Sequence, residues 1–73
     1  PPIPPDSVAV AVDKFRDFMQ KSGQSANSAQ LEQFRSQVST AFENATKQTG
    51  KHNHSVSLAL ENGRLKVRIN SSD

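Results

Sequence analysis

The chain has no cysteine, tryptophan or tyrosine, only three glycines, and no long apolar run. Without cysteine there is no disulfide staple, no thiolate zinc site and no cysteine nucleophile. A membrane-spanning helix needs about 20 predominantly apolar residues, and no charged stretch precedes an apolar core at the N-terminus, so neither a transmembrane helix nor a signal peptide is read. No glycine-rich phosphate loop, G-x-S-x-G elbow or H-E-x-x-H pair occurs, and a domain of this size has little room for a deep pocket. An enzyme is therefore not expected, and neither is a cofactor. Even ordinary apolar residues are scarce: Leu, Ile, Val and Phe make up 16 of 73 positions, and the mean hydropathy is −0.68. Such a chain supports one small domain with a lean core. The cysteine-free composition is expected of a cytoplasmic protein.

The net charge is only +2, but it is unevenly placed. Five bases and five acids balance over residues 1–50, while Lys51, Arg64, Lys66 and Arg68 face only Glu61 and Asp73 over residues 51–73. The whole excess lies in the C-terminal third. This is far from the dense basic patch that nucleic-acid binding usually shows.

All four prolines fall within Pro1–Pro5, a segment that favours extended polyproline II and reads as a tail at 1–5. A chain that opens inside a proline run is expected to be part of a longer one. Beyond it, Val8, Val10 and Val12 alternate with alanines as in a strand, yet Val8, Val12, Phe15 and Met19 also follow helical spacing. Asp6 or Ser7 caps the start and Gly23 follows the last periodic residue, so a helix over 7–22 is the favoured reading. An extra N-terminal strand at 8–12 is the alternative. After a polar break at 24–28, Leu31, Phe34, Val38, Ala41, Phe42 and Ala45 recur every three or four residues. This spacing predicts a second helix over about 28–48, ended by Gly50.

The last segment reads as a β-hairpin. Asn62-Gly63 suits a type I′ turn, whose central residues both need positive φ. A two-residue loop pairs Glu61 with Arg64, Leu60 with Leu65, Leu58 with Val67 and Val56 with Ile69, which puts every apolar pair on one face. The other face then carries Ser55, Ser57, Ala59 and Glu61 beside Arg64, Lys66, Arg68 and Asn70. A slip of one residue would invert all of these side chains, so turn chemistry and alternation agree.

An isolated hairpin is marginal in water, and the two helical stripes are the available cover. The expected fold is therefore α+β, a two-layer α-α-β-β arrangement with a helical hairpin packed on a C-terminal antiparallel β-hairpin, forming one domain over 6–70 with a short tail at 71–73. Nearly all the strongly apolar residues beyond the proline segment fall into these stripes, leaving almost none for an exposed apolar site. Two free sheet edges remain, and pairing one of them with a second copy would enlarge the sheet as a homodimer.

The candidate binding residues are Arg64, Lys66 and Arg68, alternating along the outer face of the last strand, with Lys51 near the same end. Alternate strand residues stand about 6.6–6.8 Å apart. That row suits an acidic protein partner or, as the alternative, a nucleic-acid backbone. Charges of this kind also guard a strand against edge-to-edge aggregation. No aromatic lies on that face, which argues against base stacking. His52 and His54 sit at i and i+2 and supply two ligands, short of a closed metal site. The N-x-S/T triplets at Asn44, Asn53 and Asn70 are expected from a chain rich in serine and asparagine. The function expected is a small, non-catalytic protein–protein interaction or assembly module that binds through the hairpin edge and its basic outer face, away from membranes.

Overall fold

A computed structural model describes residues 6–73. The proline-rich tail expected at 1–5 lies outside the described residues. The element order is α1 (Ser7–Lys21), α2 (Ser28–Thr49), β1 (Asn53–Glu61) and β2 (Arg64–Ser72), the α-α-β-β succession expected from the sequence. The two strands form a single antiparallel sheet, covered on one side by the helices.

Local chemistry sets the element boundaries. Asp6 caps α1, its carboxylate accepting from the Val8 N–H at 3.0 Å. Asn27 opens α2 with a capping box: its side-chain oxygen accepts from the Gln30 N–H at 2.8 Å, and the Gln30 side chain accepts from the Asn27 N–H at 3.0 Å. Gly50 ends the helix at φ 72°, a left-handed conformation that costs glycine nothing sterically. The alternating valines at 8–12 are helical, not a third strand. With Asp6 capping, Ala11, Val12 and Phe15 turn to one side and are buried together, whereas Val10 points to solvent. A strand would have placed Val8, Val10 and Val12 on the same face.

Asn62 and Gly63 have φ values of 54° and 76°, the positive pair a type I′ turn requires. The register follows from that turn and pairs Glu61 with Arg64, Leu60 with Leu65, Leu58 with Val67 and Val56 with Ile69. β2 continues through Ser72, two residues past the boundary at 70 that the apolar alternation implies, because Ser71 and Ser72 pair with His54 and Asn53. Alternation of apolar residues cannot reveal this extension, since the added residues are polar.

The core is a small cluster of Ala11, Val12, Phe15, Phe34, Val38, Phe42 and Val56. Phe15 and Phe34 stack with ring centroids 4.3 Å apart and planes 8° from parallel, joining α1 to α2. Val56 carries the core into the sheet and is 2% exposed. Leu58 and Ile69 are half-buried against this cluster. Toward the turn the cover ends: Leu60, Leu65 and Val67 are exposed, Leu60 by 56%. The expectation that almost no apolar residue remains for an exposed site is therefore corrected. A nine-residue strand extends about 30 Å, and two helices with narrow apolar seams cover its base but not its tip.

Candidate functional site

The hairpin presents three surfaces, and the ladder geometry decides what each offers. Side chains at even positions of β1 and odd positions of β2 face the helices, and the remainder form an outer face with no layer over it. On that outer face Arg64, Lys66 and Arg68 alternate along β2, all exposed. Across the ladder Ala59 and Ser57 are small and leave Lys66 and Arg68 standing above them, while Arg64 has the acid Glu61 opposite it, outside ion-pair distance. The ion pairs among the described residues are Arg16–Asp13, Lys21–Asp17 and Arg35–Glu32, all within helices. None of the three β2 cations joins one. Beyond them, Asn70 donates from its side-chain amide to the Ser57 hydroxyl at 2.8 Å, bracing the two strands on this face.

Lys51 does not join the row. The register sets Arg64 beside the turn and Arg68 opposite Ser57, while Lys51 precedes Asn53 at the far end of the hairpin. Its N–H bonds to the Thr49 hydroxyl at 3.1 Å in the link between α2 and β1. From Arg68 to the start of β1 is roughly 13 Å along the strand, so Lys51 is separate from the other candidates.

The two histidines part company as well. His52 lies exposed in the link before β1, and His54 turns toward the helices. Its ring lies 5.3 Å from that of Phe42. Thr46 donates its hydroxyl proton to the Phe42 carbonyl at 3.0 Å, so its oxygen is left to accept from His54 Nε2 at 2.8 Å. The Nδ1 atom of neutral His54 then accepts from the Ser71 hydroxyl, also at 2.8 Å. His54 thus ties α2 to both strands at the base of the sheet. Among the described residues, no group of three or more His, Cys, Asp or Glu side chains is placed to hold a metal ion. Among the same residues, no helix is long and apolar enough to cross a membrane.

No family model, curated protein or solved structure matches this chain. The chemistry of its surface rests on its own geometry.

The second surface is the apolar tip, and the third is the pair of sheet edges. In a two-residue hairpin the residues flanking the turn form a hydrogen-bonded pair, and such pairs alternate along the ladder. Glu61, Ala59, Ser57 and Ser55 therefore bond across to β2. Leu60, Leu58, Val56 and His54 direct their N–H and C=O groups to the open edge. Lys14 of α1 reaches that edge and donates from Nζ to the Val56 carbonyl at 3.3 Å. Next to this contact, a groove of about 330 Å³ runs between α1 and β1, bordered by Lys14, Asp17, Phe18 and Lys21 on the helix and by Val56–Leu58 on the strand, with Lys21 paired to Asp17 at 3.0 Å. The sequence signal for an edge was present in the two-strand topology. The signal for the groove was not, because it depends on how α1 lies across the sheet.

Proposed function

We propose that this chain is a non-catalytic interaction module whose binding element is the hairpin, with Arg64, Lys66 and Arg68 engaging an acidic protein segment. The observation that carries the reading is the uncovered outer face, where three alternating cations lie without a paired acid among the described residues. Complementary charge on a partner raises association rates and fixes orientation without requiring these exposed cations to be fully desolvated. An extended acidic segment laid along β2 matches the spacing of about 6.6–6.8 Å between alternate strand residues. The nucleic-acid alternative uses the same cations, but the outer face carries no aromatic for base stacking: the phenylalanines all lie in the helices. A cytoplasmic setting belongs to this reading and rests on the cysteine-free composition.

Titrating the ¹⁵N-labelled chain with oligoglutamate tests the proposal. Saturable shifts should centre on Arg64–Arg68 and on Ser57 and Ala59 across the ladder, and reversing the three cations to glutamate should abolish them. Shifts spread evenly over the helical lysines would refute it. Tighter binding to duplex DNA than to oligoglutamate, collapsing steeply between low and physiological salt, would establish the nucleic-acid reading instead.

A further inference from the structure

The two edges of the hairpin differ in what they permit. Along β2, an antiparallel approach of a second β2 centred on Lys66 sets Arg64 against Arg68 and Lys66 against itself, and like charges across a ladder repel. β1 carries no acid and no lysine or arginine from Asn53 through Leu60. Its edge is the unguarded one.

The free groups on that edge also select a register. The Val56 carbonyl is engaged by Lys14, which leaves the outward N–H and C=O groups of Leu58 and Leu60. A two-fold axis through Ala59 matches these groups reciprocally: Leu58 of one copy meets Leu60 of the other, and each donates to and accepts from its counterpart. Moving the axis to Leu58 would require the occupied Val56 carbonyl. Ala59 would then face its own symmetry mate in a non-hydrogen-bonded pair, the position where backbones approach most closely and a small side chain fits.

From this geometry we infer that the β1 edge docks a second copy of the chain, antiparallel about Ala59, and that Leu60 of each copy fills the α1–β1 groove of the other. The inference rests on the hairpin being the binding element and adds the edge, the register and the occupant. Among the described residues Leu60 is the most exposed of the large apolar side chains, and in this register it lies on the helix side of the sheet beside Leu58 of the second copy, in the groove bordered by Phe18. Each groove is completed only by the other copy. The product is a four-stranded sheet in the order β2-β1-β1-β2, whose outer edges are the two cation-bearing strands, which stops further growth. An interface this short belongs to the small, reversible class, so dimerisation depends on concentration.

The absence of cysteine makes a direct test simple. The Ala59→Cys chain carries a single thiol at the axis, and Lys66→Cys carries one at the exposed position paired with Ala59 on β2. Under mild oxidation the Ala59→Cys chain should form a covalent dimer at least about tenfold faster than Lys66→Cys, because facing Cβ atoms meet disulfide geometry. The unmodified chain should show a sedimenting mass rising from 8.0 kDa toward twice that value between about 10 μM and 1 mM. Ala59→Lys, an exposed substitution, should keep the circular dichroism spectrum and remain monomeric throughout. Equal oxidation rates, a monomer at every concentration, or undiminished association by Ala59→Lys would each overturn the inference. The oligoglutamate titration separates the two failures: if its shifts persist in a strict monomer, the interaction module stands without the dimer, and if they vanish too, both fall.

Discussion

Val56 and Leu60 occupy equivalent positions in the sequence pattern, on the same face of the same strand, yet they should respond very differently to truncation. Val56 is 2% exposed and sits within the core cluster, whereas Leu60 is 56% exposed near the turn. Replacing Val56 with alanine removes two buried carbons at about 0.8 kcal/mol each, and the residual cavity adds further loss, for a total near 2–2.5 kcal/mol. Full burial of a leucine side chain contributes about 1.5–3 kcal/mol, and Leu60 realises less than half of it, so Leu60→Ala should cost under about 1 kcal/mol. A domain of this length has roughly 4–11 kcal/mol of stability in all, so the first substitution is conspicuous and the second nearly silent. Urea denaturation followed by circular dichroism at 222 nm measures both. The protein must be dilute, below the concentration at which a second copy would cover Leu60. Equal costs for the two substitutions would refute the placement of the helices over the base of the hairpin.

Two further outcomes follow from the turn and from the histidine clamp. Gly63→Ala places a side chain at φ 76° and should destabilise the chain by about 1 kcal/mol or more, even though open space surrounds the position; an unchanged urea midpoint would show that the turn is not type I′ in solution. Neutral His54 should carry its proton on Nε2, visible in long-range ¹H–¹⁵N correlation spectra, and Thr46→Val should remove that preference while costing about 1–3 kcal/mol for the unpaired ring nitrogen. A proton on Nδ1 in the unmodified chain would contradict the hydrogen-bond network described for Thr46 and Ser71.

Much of the fold was legible because its signals are local. The Asn62-Gly63 turn dictates its own dihedral angles, and once they are set the pairing of Glu61 with Arg64 propagates down the ladder one residue at a time. The second helix carries its start in Asn27 and Gln30 and its end in Gly50, each acting within one turn of itself. The valines at 8–12 were ambiguous for the same reason: over five residues a strand pattern and the first turn of a helix look alike, and only the longer run to Met19 with the Asp6 cap separates them. At the candidate site, Arg64, Lys66 and Arg68 were readable as a row because strand alternation is strict. Lys51 was not placed by any such rule, and the paired strands carry it to the other end of the hairpin.

The sequence by itself determined the order of the elements, their caps, the turn and the register, because each of these is decided by neighbours within a few positions or by a strict period of two. The tertiary structure alone decided which members of the apolar stripes are buried. Coverage depends on where a helix layer of limited width lies over a strand pair about 30 Å long, and no pattern in the chain records that offset. It separates the buried Val56 from the exposed Leu60, brings Lys14 within 3.3 Å of an edge carbonyl 42 residues away, and opens the groove beside β1. A chain poor in cysteine, glycine and apolar residues thus still leaves an unguarded edge and an apolar tip uncovered, since burial is a property of the packed layers and not of the residue.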